Sequence, residues 1–351
     1  MSSILLSTSG EHSSIESGRT TSISVVIVTW NGCARVVKCL QALDQQVLHP
    51  EEILLVDNGS RDETLAVVRA RFPRVRVLAL GSNTGFAAAT NQGIMASRGE
   101  LIALLNNDTE PTPQWLQALM MALQDHPDAG WAASKLVWAQ RPGIIDSAGD
   151  ELWSLGVVVK RGDAQEDGPT YQQPGWVFGS CAGAALYRRS VLAAVGPFDE
   201  RFAPAYHEDS DWNFRAQLQG FRCWYVPTAI VKHEVGATLG ARSSTVLYLR
   251  ARNTAFLLMK NLPGSLWWRL GASMHGYHLL VGLFYALTGR GGGYLRGWLG
   301  GLARVRAFAS DQKSIQTRRV ISDAAVRQLM RPMGVVQALR THWRIRYARR
   351  R

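Results

Sequence analysis

Ser24-Val25-Val26-Ile27-Val28-Thr29-Trp30-Asn31 is an apolar run that stops abruptly in polar residues, and Leu54-Leu55-Val56-Asp57-Asn58-Gly59-Ser60 repeats the plan. A short, unbroken apolar run rich in β-branched residues and bounded by turn formers reads as a strand buried on both faces. Working outward, residues 23–30, 53–56, 75–80 and 101–105 read as such strands, and the amphipathic intervals 34–43, 62–72 and 86–97 read as helices between them. This alternation predicts an α/β chain with a mostly parallel central sheet flanked by helices. Another helix is expected after Pro113, which suits a first helical turn, and runs to about His126.

The first, second and fourth strands each end in a polar cluster: Thr29-Trp30-Asn31, Asp57-Asn58-Gly59-Ser60 and Asn106-Asn107-Asp108. Ligands of open α/β sheets bind beyond the carboxyl ends of the strands, so order alone predicts that these clusters meet in one crevice. Further on, residues 129–137 and 176–187 read as strands of a second, mixed part, with the Gly/Pro/Asp-rich interval 160–175 between them as a mobile loop.

Composition narrows the class. The chain has 351 residues, 46% of them apolar, enough for a substantial core. Cys33, Cys39, Cys181 and Cys223 form no CxxC pair, which argues against a zinc site or a disulfide framework. No GxGxxG follows the first strand, so a dinucleotide-binding dehydrogenase is excluded. Residues 1–21 are rich in Ser and Thr and read as a mobile tail, with too short an apolar run for a secretory signal.

The net charge of +12 is uneven: from Val235 onward 20 Lys and Arg face only Asp311 and Asp323. An acidic module therefore precedes a basic one, read as long helical segments interrupted near residues 289–293. Residues 271–289 are weakly polar but carry His275, His278 and several glycines, so they predict an interfacial or buried helix rather than a spanning one. The basic half contains Trp267, Trp268, Tyr277, Phe284, Tyr285, Tyr294 and Trp298, which suit either an anionic membrane surface or a helical core and self-association surface. It lacks any recognised nucleic-acid motif.

Asp57 stands just past a buried strand, where its carboxylate can accept the imide N–H of uracil or thymine, or else satisfy turn amides. Ser60 and Glu63 have the spacing of a helix capping box. Asn106-Asn107-Asp108 is a diluted form of the DxD triad, whose oxygens suit Mg²⁺ or Mn²⁺. With a single carboxylate there, a second protein ligand has to come from elsewhere. The densest polar run is Tyr206-His207-Glu208-Asp209-Ser210-Asp211-Trp212-Asn213-Phe214-Arg215. If a helix begins here, Asp211 and Arg215 pair at i,i+4, and Glu208 and Asp209 lie at its open N-terminus, either to stabilise the helix start or to serve as a base.

These segments occur in a fixed order: the first strand through Asn31, Val56-Asp57-Asn58-Gly59-Ser60, Asn83-Thr84-Gly85-Phe86-Ala87, Asn106-Asn107-Asp108, Gly196-Pro197-Phe198-Asp199-Glu200, Glu208-Asp209-Ser210-Asp211 and His233. The set resembles the family 2 inverting glycosyltransferases of GT-A fold, most closely their rhamnosyltransferase-like branch, which builds bacterial cell-surface polysaccharides. The resemblance spans about residues 23–262.

It implies a GT-A catalytic domain over residues 22–240 and a basic, aromatic-rich helical region over 241–351. It also implies that Thr29 and Asp57 contact the base, Asn83 holds the nucleoside, Asp108 and His233 bind Mg²⁺ or Mn²⁺, and Asp209 is the catalytic base. Asn31, Asn58, Gly85, Asn107, Glu208 and Arg215 join these as expected substrate-binding residues, and Trp176 is assigned to the acceptor side, with core packing as its alternative. The departure is Asn106, where many relatives carry the first Asp of the triad.

The function expected is transfer of a sugar, rhamnose favoured, from a UDP- or dTDP-linked donor to a hydroxyl of a glycan or lipid-linked acceptor. The expected place is the cytoplasmic face of the cell membrane, held peripherally. The competing readings are a nucleotidyltransferase, which Thr29-Trp30-Asn31-Gly32 serves poorly for want of a basic Gly-rich loop, and a non-catalytic membrane scaffold.

Overall fold

The protein is described by a computed structural model covering residues 21–234, 244–290 and 292–348. Residues 1–20 of the tail expected over 1–21 lie outside the described residues, and so does the expected domain boundary near residue 240.

The first half follows the strand and helix alternation closely: β1 (Ile23–Thr29), α1 (Cys33–Asp44), β2 (Glu52–Asp57), α2 (Thr64–Arg71), β3 (Arg76–Ala79), α3 (Phe86–Ala96) and β4 (Leu101–Asn106). β1 lies between β2 and β4, parallel to both, with Thr29 opposite Asp57 and Val28 opposite Asn106. Alternation along these strands sends Val25, Ile27, Leu55 and Leu105 to one face, against Val36 and Leu40 of α1, and Val26, Leu54, Val56 and Leu104 to the other, against Ala87 and Ala89 of α3. Both faces are covered, which is why the strands read as continuous apolar runs.

The mixed part contains β5 (Thr109–Pro111), α4 (Trp115–Asp125), β6 (Ala129–Trp138), β7 (Ile145–Ala148), β8 (Asp150–Trp153), β9 (Val157–Lys160), β10 (Gly175–Val177), β11 (Ala184–Arg188), α5 (Arg189–Val195), α6 (Glu208–Leu218) and β12 (Arg222–His233). The main sheet runs β10-β12-β6-β11-β4-β1-β2-β3, with β5 added to β12 and β7 to β6.

The structure corrects two expectations here. The single strand expected over 176–187 is two strands, β10 and β11, because residues 178–183 turn between the sheet edge and its centre. The expected mobile loop over 160–175 is pinned: the buried Lys135 ammonium binds Asp167 at 3.0 Å and Gln172 at 3.1 Å, and Arg161 stacks on Tyr171 and Tyr225.

Helices dominate the rest: α7 (Ser244–Asn261), α8 (Gly264–Tyr285), α9 (Gly293–Leu302), α10 (Ala309–Arg318), α11 (Asp323–Leu329), the short β13 (Met330–Arg331) and α12 (Val335–Ala348). A π-helical turn over Ala286–Arg290 follows α8, where the glycine-rich break is expected. β13 extends the β8–β9 hairpin into a second small sheet. A core cluster formed by Phe202, Phe214 and Leu218 with Phe256, Leu257, Met274 and Trp298 joins the helical region to the sheet domain. Among the described residues no helix is long and apolar enough to cross a membrane.

Candidate active site

The polar ends of β1, β2 and β4 do converge. Thr29 and Asp57 are register partners, and Asn107 Nδ2 donates to Thr29 Oγ1 at 2.9 Å, tying the end of β4 to that of β1. Asp57 Oδ2 accepts the Ser60 amide at 3.1 Å, while its Oδ1 is buried with no hydrogen-bond partner. A buried carboxylate oxygen without a donor is costly unless a ligand supplies one, so the turn-amide role of Asp57 uses half of the group and leaves the other half open to a donor from a ligand.

The loops above these strands brace one another. Asn31 Oδ1 accepts the Arg61 amide at 2.8 Å and the Asn31 amide donates to Ser60 Oγ at 2.9 Å. Asn58 donates to Asn83 Oδ1 at 3.1 Å and to the Gly85 carbonyl at 3.2 Å, and its Oδ1 accepts the Thr84 amide at 2.8 Å. Gly59 has φ +79°, and a Cβ there would stand 2.6 Å from the Ser82 backbone, so the turn requires glycine. The expected Ser60–Glu63 capping box is not formed. Ser60 serves Asn31, and Asp62 Oδ1 instead accepts the Thr64 amide at 3.2 Å at the start of α2.

His233 reaches Asp108 through strand pairing. β12 runs antiparallel to β5 with His233 opposite Thr109, and the Glu234 amide donates to the Asp108 carbonyl at 2.9 Å. His233 Nε2 is then 3.4 Å from Asp108 Oδ1, an oxygen that makes no hydrogen bond, while His233 Nδ1 is 2.9 Å from Asp146 Oδ2. Lys160 Nζ binds the same Asp146 oxygen at 2.7 Å. Burial works against the imidazolium of His233, but Asp146 and Asp108 outweigh it and raise its pKa to about 9.

A carboxylate that fixes one ring nitrogen and turns the other toward an under-bonded carboxylate is the usual surrounding of a metal-ligating histidine. No group of three or more His, Cys, Asp or Glu able to hold a metal ion occurs among the described residues. Asp108 and His233 nonetheless fit a hard cation that takes one or two protein ligands and fills its remaining positions with water and phosphate oxygens.

Asp209 lies partly buried in the first turn of α6, which starts at Glu208. Its Oδ2 accepts the Ala182 amide at 3.2 Å and its Oδ1 the Ser210 amide at 2.7 Å. Next in the chain to Ala182, the Gly183 carbonyl accepts the Asn106 amide at 2.9 Å, so two adjacent bonds link Asp209 to the segment that carries Asp108. Burial raises the Asp209 pKa against the pull of those amides. Burial and the charge of Asp209 push Glu208 up to about 8, and Glu208 Oε2 has no hydrogen-bond partner.

The loop before α6 is held from behind. Asn253 Nδ2 of α7 donates to the Phe202, Ala205 and Tyr206 carbonyls at 2.9, 3.1 and 2.7 Å. Lys260 Nζ bridges Asp199 at 2.7 Å and Asp211 at 2.8 Å.

Two expected substrate contacts lie elsewhere. Arg215 forms the anticipated ion pair with Asp211 at 2.9 Å, but its guanidinium also donates to the Val195 and Pro197 carbonyls, making it a buried strut. Trp176 sits on the edge strand opposite Trp224, near the other end of β12 from His233, with Arg222 stacked 3.5 Å from its ring centroid. Asp146, Lys160 and Asp150 are absent from the sequence reading. Burial, followed by repulsion from Asp209, raises the Asp150 pKa well above the ordinary range. The short apolar pair Ile144-Ile145 before Asp146 is the one local signal of a further strand end.

The model of Glycosyl transferase family 2 matches residues 24–196. The chain is 31% identical over 212 residues to the uncharacterized glycosyltransferase YwdF of Bacillus subtilis (strain 168), covering 60% of this chain and 72% of that protein.

The chain belongs to glycosyl transferase family 2.

Within it, the chain is 29% identical over 273 residues, 70% of its length and 86% of the other's, to N-acetylglucosaminyl-diphospho-decaprenol L-rhamnosyltransferase of Mycobacterium tuberculosis (strain ATCC 25618 / H37Rv). Its fold is that of the crystal structure of GalNAc-T7 with UDP, GalNAc and Mn²⁺, at a TM-score of 0.55 and 15% identity over 69% of this chain and 48% of the other. The chain thus spans about half the length of that structure. The GT-A expectation and the family resemblance both hold, and the enzyme is a glycosyltransferase of the nucleotide-sugar-using type.

Proposed function

We propose that this glycosyltransferase moves a sugar, L-rhamnose favoured, from a dTDP- or UDP-linked donor to a hydroxyl of a lipid-linked glycan during cell-surface polysaccharide synthesis. The observation that carries the reading is the pair of adjacent bonds, Ala182 amide to Asp209 and Asn106 amide to Gly183, which fixes a carboxylate of raised pKa against the segment bearing Asp108. The name of the mycobacterial relative supports rhamnose and a lipid-linked acceptor.

In this mechanism Asp57 and Thr29 hold the pyrimidine, and Asn58 keeps the Asn83–Gly85 loop over the nucleoside. Asp209 accepts the proton of the acceptor hydroxyl as that oxygen attacks the anomeric carbon. The bond from the anomeric carbon to the diphosphate breaks with its electrons, the nucleoside diphosphate leaves, and the configuration inverts. Asp108 and His233 would hold Mg²⁺ or Mn²⁺, which neutralises charge on the leaving diphosphate. The GalNAc-T7 structure, solved with Mn²⁺, supports the choice of cation.

The enzyme is placed at the cytoplasmic face of the membrane, where a lipid-linked acceptor is presented and the basic half from Val235 onward meets anionic lipid.

The test is a panel of dTDP-, UDP- and GDP-sugars with and without Mn²⁺, using a lipid-linked GlcNAc acceptor and a short-chain soluble analogue. Transfer from dTDP-rhamnose with an inverted product anomer is expected. Transfer only from another donor, or retention of configuration, overturns the respective part.

A further inference from the structure

α8 has 22 residues, a rod of roughly 33 Å at about 1.5 Å per residue. Residues 270–289 contain no Asp, Glu, Lys or Arg. One side of the helix is core: Leu266, Met274, Tyr277, His278 and Val281 are buried. Its polar ring faces that side too, since His278 Nδ1 is 2.7 Å from Tyr294 Oη and the ring stacks on Trp298 at 3.8 Å. The opposite side is left to Trp268, 93% exposed, with Leu279, Leu280 and Leu283 each about half exposed, and Leu287, 78% exposed, continues it into the π turn. On a 3.6-residue period these positions share one face. Arg269, Ala272 and Ser273 are exposed as well, so α8 turns a largely apolar face edged by a basic residue to water, where such a face gains by being covered.

We propose that the solvent face of α8 inserts into the headgroup and upper acyl region of an anionic phospholipid leaflet, lying flat rather than spanning. The charge of this stretch fits that occupant: residues 264–318 hold seven Lys and Arg against Asp311 alone, Arg269 of α8 itself is exposed next to Trp268, and Arg296, Arg304 and Arg306 in the following helical turns are exposed too. Apolar insertion flanked by basic side chains is the form of an interfacial helix.

The surface is joined to the site by close helix packing. In α9, a Cβ on Gly301 would stand 2.6 Å from Ala255 Cβ of α7, a contact only glycine allows, and Gly282 of α8 lies against the Leu295 side chain of α9. α7 is the helix whose Asn253 holds the loop leading to Asp209. Docking α8 would therefore set the height of the acceptor side of the crevice above the lipid. This inference rests on the proposed location at a membrane but not on the identity of the sugar.

The test uses the full chain, floated with vesicles of phosphatidylcholine alone or with about one-third phosphatidylglycerol, against the exposed-face variants Leu279→Glu with Leu283→Glu, and Trp268→Ser. Wild type is expected to float with the anionic vesicles and to do so less, though still measurably, in high salt. The Glu double variant is expected to lose binding by about tenfold or more, and Trp268→Ser by less. Circular dichroism and UDP binding unchanged in each variant show that the fold and nucleotide site stand, and loss of UDP binding by wild type would count against the catalytic reading instead. Absence of vesicle binding by wild type, or equal flotation of the folded variants, overturns the proposal. So does a wild-type dimer that the variants convert to monomer while lipid binding stays the same.

Discussion

His233 Nε2 stands 3.4 Å from Asp108 Oδ1 because β12 pairs antiparallel with β5 and places His233 opposite Thr109. The carboxylate and the imidazole are remote in the chain and meet at the end of one strand pair, with Asp146 behind the ring at 2.9 Å.

Asp108→Ala and His233→Ala are each expected to weaken Mn²⁺-dependent donor binding, and the double variant to lose less than the sum, with an interaction energy of about 0.5–3 kcal/mol. Asp146→Asn, which meets the ring at Nδ1, away from Asp108, and also binds Lys160, should cost about 10- to 100-fold in Mn²⁺ affinity. Calorimetric titration with and without Mn²⁺ checks both, and additive losses would count against a shared ion.

Asp57→Ala is expected to weaken UDP or dTDP binding by about 1.5–3 kcal/mol, the range for a hydrogen bond to a charged group. Because Asp57 Oδ1 has no partner in the free protein, the loss should appear in nucleotide affinity more than in stability. Calorimetry and thermal melts of the same variant separate the two, and unchanged nucleotide affinity would sink the assignment.

Asp209→Asn should lower turnover by about 10²- to 10⁴-fold, the contribution of a positioned base, while leaving donor binding intact. Single-turnover kinetics beside equilibrium donor binding give the comparison. A parallel fall in donor affinity would indicate a binding role instead.

Glu208 titrates near 8 in the folded protein against an ordinary 4.5, so the native state holds its proton longer than the unfolded chain does. Its stabilising contribution is complete below about 4.5 and is lost as pH rises through about 8. Glu208→Gln should therefore leave Tm nearly unchanged at acidic pH and raise it relative to wild type on the alkaline side. Thermal melts over the pH range check the sign, and an alkaline loss of stability in the variant equal to that of wild type would refute it.

Lys260→Met leaves Asp199 and Asp211 without the buried ammonium that bridges them at 2.7 and 2.8 Å. Breaking one side of such a buried arrangement costs about 3–5 kcal/mol. Urea unfolding is the measurement, and a loss below 1 kcal/mol, roughly that of an exposed pair, would show that water already screens the site.

The sequence by itself determined the parallel half of the sheet and the strand ends that carry Thr29, Asp57 and Asp108, because a strand buried on both faces must be apolar throughout and must break where it leaves the core. It also determined the start of α6, where Glu208 and Asp209 stand in the first turn and Asp211 pairs with Arg215 as i,i+4 spacing requires. Tertiary structure alone decided which residues surround these groups. Ser60 binds the Asn31 amide rather than capping α2, Arg215 turns inward, and Trp176 goes to the sheet edge, since each outcome depends on a segment distant in sequence. Asp146 and Lys160 are not legible in the sequence for the same reason: the short strands β7 and β9 have little periodicity of their own, and their charged residues gain meaning only where β12 delivers His233. Local propensity and burial are written residue by residue, whereas the partner of a buried charge is set by strand register, which is fixed only when the sheet closes.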